Sequence, residues 1–262
     1  MKTSWAGAGT LAMLTFAACA QPTQDEPRMG APAKRYGLLA LAPTYRQTWA
    51  SVAVGAQPAD WINVTKVGPA FPWLVAGAWG VKVNAAGAHT FEQSGIAWPW
   101  FSNSPPLSFQ RFNAPFFGMA GNALPNHYQV DVTLRVLGCD PKDPYFPIGD
   151  TGVQVYFVDA THYCEFIYRP KTVELWQCNG GEPFRFPGWT LLGRFPRQSF
   201  QGQALMVSAE VNTATHTIKA VIPGASAPIT VSSVLIQPRP HWMTLRASNS
   251  RVQYDLVQVK AL

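Results

Sequence analysis

The feature that most constrains the fold of this chain is the alternation of apolar and polar side chains in residues 128–178. In YQVDVTLRVLG, the apolar residues Val130, Val132 and Leu134 occupy every second position, and polar residues stand between them. Successive side chains of a β-strand point to opposite faces of a sheet, so this pattern predicts a strand with one buried and one solvated face. The same alternation returns from Val153 to Phe157. The chain is therefore expected to build its core from half-buried antiparallel strands.

The composition agrees with an all-β chain. Apolar residues make up 47% of the 262 residues, enough for a packed core, while Pro, Gly and aromatic residues are as plentiful as short strands joined by tight turns require. One large domain is expected, and two small domains are the alternative. No helix of three turns is predicted, and the aromatic, Pro/Gly-rich stretches 96–121 and 180–199 are predicted to be connections. Further strands are predicted near residues 61–66, 73–75, 79–83, 90–93, 107–112, 204–211, 217–222, 241–247 and 251–259.

The N-terminus has the composition of a secretory signal. After Lys2 comes an apolar stretch that is too short to span a bilayer and that ends in small residues. Phe16-Ala17-Ala18-Cys19 resembles a bacterial lipobox, in which the cysteine is lipidated and becomes the first residue of the mature protein, although Leu is usual where Phe16 stands. The resemblance implies a signal peptide at 1–18. The polar stretch that follows contains three Pro and no periodicity, so 19–34 is predicted to be a tether and 35–262 the domain. The alternative is an ordinary signal peptide cleaved after Ala18 or Ala20.

The expected location follows from this segment. Lipidation of Cys19 would hold the protein at the cell envelope, and Ala20 in place of Asp after the cysteine indicates the outer membrane, if the cell has one. Without the lipid, a secreted or periplasmic protein is expected. Both environments permit disulfides to persist.

The cysteines suggest one cross-strand bridge. If residues 163–178 form a hairpin centred on Lys171, Cys164 lies directly opposite Cys178, and Phe166 lies opposite Trp176. Directly opposed positions have a Cα separation that suits a disulfide. We therefore predict a Cys164–Cys178 disulfide; the alternatives are two free buried thiols or a pair that uses Cys139.

The charge excludes one class of partner. The formal net charge is +6, but the basic residues are scattered, with no run of Lys and Arg and no nucleic-acid-binding motif. We expect no nucleic-acid partner and only a mild attraction to anionic surfaces.

The order of the strand segments resembles a known superfamily. The segments AGAWGVKVNAAG, YQVDVTLRV, DTGVQVYFVDATHYCEFIYR and RVQYDLVQVK follow one another as in bacterial domains of the concanavalin A-like lectin/glucanase superfamily, the laminin-G-like jelly rolls. Asp159-Ala-Thr-His162-Tyr163 stands at the family's D-x-x-N-Y position, and Tyr254-Asp255-Leu256-Val257 stands at its F-D-x-V position. The resemblance covers residues 57–259 and implies an antiparallel two-sheet jelly-roll sandwich.

The candidate site residues are mainly aromatic. Trp98 and Trp100, in the first aromatic connection, and Trp189, in the second, could stack on the apolar faces of sugar rings, whereas the alternative is that these loops fold back and bury them. The resemblance implies that Asp255, in the closing strand, could help hold a structural Ca²⁺, and no other cofactor is expected. The alternative for Asp255 is a solvated or backbone-bonded carboxylate.

Signs of catalysis are weak. The E-x-D-x-x-E run of glucanases is absent, as are G-x-S-x-G and H-E-x-x-H, and Glu165 and Glu174 are expected to point to solvent. The expected function is that of a membrane-anchored, non-catalytic protein that binds a glycan or another cell-envelope polymer. The alternatives are a glycoside hydrolase of the keto-sugar type on the same fold and a protein-docking or adhesion module.

Overall fold

The computed structural model describes residues 43–69, 71, 73–94, 107–117, 119–139, 150–169, 172–181, 187–196, 202–222, 227–248 and 250–262. Within these ranges the chain forms fifteen strands and three short 3-10 turns. No helix in the described part is long and apolar enough to cross a bilayer. The strands are β1 Thr44–Gln47, β2 Trp61–Asn63, β3 Trp79–Val83, β4 His89–Gln93, β5 Leu107–Phe112, β6 His127–Cys139, β7 Asp150–Asp159, β8 His162–Tyr168, β9 Thr172–Asn179, β10 Trp189–Pro196, β11 Ala204–Asn212, β12 Thr217–Val221, β13 Ile229–Ser232, β14 Trp242–Ser248 and β15 Ser250–Ala261.

The strands form two antiparallel sheets. The first sheet has the order β13-β12-β11-β6-β15-β4-β3, with β1 paired to β15 as well. The second has the order β10-β9-β8-β7-β14-β5-β2. The prediction of an all-β, antiparallel two-sheet sandwich is confirmed.

The main core lies between the two sheets and follows the alternation seen in the sequence. Val130, Val132 and Leu134 of β6 are fully buried in it, together with Val153 and Val155 of β7. The Tyr128 hydroxyl donates to the Val155 carbonyl over 2.6 Å, and so joins the two sheets inside the core. Burying apolar side chains from both inner faces is the main force that holds such a sandwich together.

Four elements differ from the sequence prediction: three strands were not predicted, and residues 73–75, which were predicted to be a strand, are not among the strands of the structure. β1 and β13 are four-residue edge strands, too short to show a clear alternation. β10 lies inside the stretch 180–199, which was expected to be a connection. Its pairing with β9 shifts between Leu191 and Gly193, and this irregularity interrupts the two-residue period from which a strand is recognised.

The hairpin of β8 and β9 corrects the predicted disulfide. The Arg169 amide donates to the Thr172 carbonyl, so the centre of the turn falls between residues 170 and 171 rather than on Lys171. The register therefore pairs Cys164 with Gln177 and Tyr163 with Cys178.

A shift of one residue moves a side chain to the other face of a sheet. Cys164 accordingly lies in the core between the sheets, whereas Cys178 lies in a second cluster on the opposite face of the second sheet. Both cysteines are free, and the predicted Cys164–Cys178 bridge is wrong. Phe166 faces Leu175 and not Trp176. The side chain of Cys139 lies outside the described residues.

Candidate binding face on the second sheet

The outer face of the second sheet, turned away from the first sheet, carries an unusual set of side chains. An outer face is normally solvated and polar, but here it holds a second cluster of buried apolar residues with charged and amide groups among them. We call it the outer face below. Its residues come from β5, β7, β8, β9, β10 and β14: Phe109, Gln154, Phe157, Tyr163, Glu165, Ile167, Glu174, Trp176, Cys178, Trp189, Thr244 and Arg246.

A buried ion pair lies at the centre of this face. Arg246 Nε is 2.8 Å from Glu165 Oε2, and both side chains are 0% exposed. The two residues belong to β14 and β8, which are separated by β7, where Gly152 stands opposite Arg246. A Cβ at Gly152 would lie 1.7 Å from the Phe166 carbonyl oxygen, so only glycine fits at this position of β7, between the strands that carry the two charged residues.

An amide and a hydroxyl extend the ion pair into a network of Arg246, Glu165, Gln154 and Thr244, which we call the polar floor. The Gln154 Nε2 group lies 3.4 Å from Glu165 Oε2, and Thr244 Oγ1 donates to Gln154 Oε1. The floor therefore runs across β14, β7 and β8 as a connected network. Buried polar networks of this kind hold their members in one geometry when they are satisfied.

Aromatic rings surround the polar floor. Trp176 and Trp189 stack with their ring centroids 3.9 Å apart and an angle of 8° between the ring planes. On the other side, the ring centroids of Phe109 and Phe157 are 6.1 Å apart, and those of Phe109 and Tyr163 are 5.8 Å apart. These are the separations at which aromatic pairs attract each other.

Further aromatic side chains form a partly exposed rim. Phe71 and Trp73 stack with centroids 4.9 Å apart, and both pack against the outer-face cluster while staying half-buried. Trp242, at the start of β14, is also half-buried, and the Arg111 guanidinium carbon lies 4.4 Å from the centre of its ring. We call Phe71, Trp73 and Trp242 the rim aromatics.

A second carboxylate on this face is held by two guanidinium groups. Glu174 Oε2 is 2.8 Å from Arg169 Nε, Glu174 Oε1 is 2.8 Å from Arg194 Nε, and Trp176 Nε1 donates to Oε2 over 2.8 Å. Burial alone would raise the pKa of Glu174, but the hydrogen bond from Trp176 and the two positive charges outweigh it and lower that pKa below its ordinary value. Glu174 is therefore a stable anion at neutral pH.

The prediction that Glu165 and Glu174 point to solvent is wrong. The Glu165 side chain is 0% exposed and that of Glu174 is 4% exposed. Both lie on the outer face, on neighbouring strands. Both are neutralised by arginine, which is how a protein tolerates a buried carboxylate.

The predicted site residues fall in different places. Trp189 belongs to the outer face, where it is 4% exposed and covered on one side by Trp176. Trp98 and Trp100 lie outside the described residues, as does Cys19. Asp255 lies in the first sheet at an irregularity of β15, and its Oδ2 accepts from Arg135 Nε over 2.8 Å. In the described part of the chain, no group of three or more His, Cys, Asp or Glu could hold a metal ion.

Sequence reasoning missed Gln154, Arg246, Trp73 and Trp242. Gln154 and Arg246 alternate with apolar residues, so the two-residue period assigns them to a solvated face, and the period cannot show that this face is covered. A usable signal was the arginine between Leu245 and Ala247, because the four residues before it carry no charge.

Comparison with known proteins finds similar solved structures but no family. No protein-family model matches this chain. No curated protein matches it either. Its sandwich is similar to those of solved carbohydrate-active proteins. One is a carbohydrate-binding module from Bacillus subtilis, with a TM-score of 0.49 and 10% identity over 77% of this chain and 96% of that one.

Two other similar structures are enzymes. A family 7 alginate lyase has a TM-score of 0.47 and 9% identity over 75% of this chain and 85% of that one. A xylan β-1,4-xylosidase from Bacillus halodurans has a TM-score of 0.48 and 12% identity, and the match covers 91% of this chain but 41% of that one. All three TM-scores are below 0.5 and the identities are 9–12%, so the function has to be argued from this chain's own residues.

Proposed function

We propose that the protein binds a glycan or another cell-envelope polymer on the outer face of the second sheet, without chemistry. The observation that carries the proposal is the buried Arg246–Glu165 pair, joined to Gln154, on a face that the sandwich does not need for its core. The Arg246, Glu165 and Gln154 side chains are 0% exposed, so their network would hold the rings above it in place, and a sugar would stack on the half-buried rim aromatics.

The energetic argument begins with the cost of the pair. Removing two charges from water costs several kcal/mol per ion, and apolar residues of similar volume are often as stable or more stable in the same place. The main core lies between the sheets, so the fold does not depend on charges at this position. A binding role gives a reason to keep them.

The aromatic rings supply the second half of sugar recognition. A sugar ring has polar edges and apolar faces, so a site that combines aromatic faces with a few polar groups complements both. The rim aromatics are half-buried and would be the first rings that an arriving polymer meets. Trp176 and Trp189 are more deeply buried than the rim aromatics, so the exposure of the rings decreases from the rim inwards.

The carboxylates support binding rather than hydrolysis. A glycoside hydrolase needs one carboxyl group that keeps its proton near neutral pH and a second carboxylate opposite it. Glu174 has a lowered pKa and four side-chain donors, and Glu165 faces a guanidinium, so neither has the environment of a general acid. The hydrolase therefore stays the alternative, and a protein-docking or adhesion module has no specific observation in its favour.

The test is retention on polysaccharides. In affinity electrophoresis against xylan, alginate and soluble peptidoglycan, we expect wild-type protein to be retarded by at least one polymer. Trp242→Ala should weaken that binding about threefold to tenfold, since an aromatic contact contributes about 0.5–1.5 kcal/mol beyond buried area. Trp242→Phe keeps a ring and should bind nearly as well as wild type.

A remote control separates stacking from general surface change. Val221 is 49% exposed and belongs to β12 of the first sheet, so Val221→Ala should leave retention unchanged. Equal retention of Trp242→Ala and wild type on every polymer would contradict the proposal, and so would the absence of retention for wild type.

We further propose that Cys19 anchors the protein to the cell envelope, with 1–18 removed and 19–34 as a tether. The support is the lipobox-like sequence before Cys19. Acyl chains contribute about 0.8 kcal/mol per buried CH₂, so a multiply acylated cysteine gives a stable anchor. Cys19→Ser should move the protein from the membrane fraction to the soluble fraction of cells. An unchanged distribution, with no lipid mass on the mature N-terminus of wild type, would refute the anchor.

A further inference from the structure

We propose that a groove on the outer side of the first sheet is a second binding site, for the carboxylate group of a sugar acid. The groove has a volume of about 410 Å³, and Arg135, Arg251, Gln253 and Asn84 line it. It belongs to the other sheet, so this proposal does not rest on the function proposed for the outer face of the second sheet.

Two strands place the arginines side by side. Arg135 of β6 lies directly opposite Gln253 of β15, and Arg251 is two residues from Gln253 on the same face. The pairing of β6 and β15 shifts between Arg251 and Val252, so Leu137 is an extra residue of β6 at this point, and it also lines the groove. Such irregularities re-aim side chains, and here both guanidinium groups line one concavity.

Carboxylates hold each guanidinium by one edge. Arg251 Nε donates to Glu92 Oε1 over 2.7 Å, and Arg135 Nε donates to Asp255 Oδ2 over 2.8 Å. Gln253 Nε2 donates to the second oxygen of Glu92 over 2.8 Å, so that buried carboxylate is engaged on both sides. These bonds orient the arginine side chains before any ligand arrives.

The free donors of the groove belong to the terminal amino groups. Within the described part of the chain, the hydrogen bonds of Arg135 and Arg251 use Nε alone, and their side chains are 37% and 54% exposed. Each guanidinium therefore keeps its Nη donors for a partner from solution. Asn84 Oδ1 already accepts from the Ala86 and Ala88 amides, which leaves the Asn84 Nδ2 donors for the groove.

This donor set selects an oxyanion attached to a polar ring. Planar guanidinium groups bind carboxylates with two parallel N–H bonds, and arginine keeps its charge at any pH of interest. The charges of Arg135 and Arg251 are balanced by Asp255 and Glu92, so the groove discriminates by geometry rather than by excess charge. A volume of about 410 Å³ exceeds that of a simple inorganic ion and leaves room for a sugar ring beside the Asn84 and Gln253 amides.

The experiment is a calorimetric titration of the protein with three probes: D-glucuronate, D-glucose and inorganic sulfate. Glucuronate should bind at least tenfold more tightly than glucose, which lacks the charge, and than sulfate, which lacks the ring. Equal affinity for glucuronate and glucose would overturn the proposal. Sulfate binding as tight as glucuronate binding would overturn the assignment to a sugar acid.

Matched variants locate the binding. Arg251→Lys keeps the positive charge beside Glu92 but removes the planar fork, and it should weaken glucuronate binding about tenfold. Arg46→Lys makes the same exchange at an exposed position of the same sheet and should change nothing. Unchanged affinity in Arg251→Lys would contradict the proposal.

A measurement on the wild-type protein locates the binding site without any substitution that could unfold the protein. In ¹⁵N spectra, the Nε–Hε signals of Arg135 and Arg251 should shift with glucuronate, while that of Arg46 should not. Trp242→Ala should bind glucuronate like wild type, which distinguishes this groove from the outer face of the second sheet. If the chemical shifts of the Arg135 and Arg251 signals do not change at saturating glucuronate, the proposed site is refuted.

Discussion

The buried Arg246–Glu165 pair gives the sharpest prediction, because it concerns both stability and binding. Arg246→Met leaves the Glu165 carboxylate, 0% exposed, without its guanidinium. Breaking one side of a buried pair costs about 3–5 kcal/mol. For a domain of about 220 residues, 1 kcal/mol corresponds to about 2–4 °C in Tm, so Tm should fall by about 6–20 °C.

The double variant Glu165→Leu with Arg246→Met should recover most of this loss. Apolar residues of similar volume replace the pair, and such replacements are often neutral or stabilising. Urea unfolding followed by tryptophan fluorescence measures Arg246→Met, Glu165→Leu and the double variant, and this double-mutant cycle gives the coupling between the two residues. The recovered double variant should nevertheless lose polysaccharide retention, because the buried network that holds the rings above it in place is gone.

An exposed pair provides the matched control. Arg135 and Asp255 form the same kind of contact at 2.8 Å, but their side chains are 37% and 19% exposed. Arg135→Met should therefore cost no more than about 1 kcal/mol. A cost for Arg246→Met as small as for Arg135→Met would refute the desolvation argument, and full polysaccharide retention by the double variant would remove the pair from the binding site.

Two further predictions concern titration and thiols. Burial raises the pKa values of Cys164 and Cys178 to about 12, so both thiols of the native protein should resist alkylation at pH 8. In denaturant without reductant, both thiols should react. A disulfide between them in denaturant would contradict the hairpin register. Glu174 has a folded-state pKa below its unfolded value, so its stabilisation is present above the unfolded pKa and is lost as pH falls through the folded one. Glu174→Gln should therefore lower the free energy of unfolding at pH 7 and flatten its decline below about pH 4.5; a parallel decline in both proteins would contradict this.

Most of the fold was accessible from the sequence, because a two-residue period is a local property. The alternation around Val132 and Val153 predicts their strands and their inner faces, and both residues are fully buried as expected. Register depends instead on the geometry of the turn. The predicted pairing of Cys164 with Cys178 failed because the turn centre lies half a residue before Lys171, and this small shift puts the cysteines on opposite faces.

The candidate site was less accessible, since it depends on contacts between distant parts of the chain. Arg246 and Glu165 are 81 positions apart and meet across β7 only after β14 has entered the second sheet. The alternation assigns both to the wet side of their strands. Whether a wet side is solvated or covered depends on what packs over it, which includes Phe71 and Trp73 from a different segment.

The most direct test of the proposed function is to observe which tryptophan side chains a polysaccharide touches. In ¹⁵N spectra of the protein with the polymer that retains it best, the indole N–H signals of Trp73 and Trp242 should shift in proportion to saturation. Trp49 is 0% exposed in the core between the sheets, so its signal should stay in place. Shifts confined to tryptophans away from the second sheet, with Trp73 and Trp242 unmoved at saturation, would contradict the binding face.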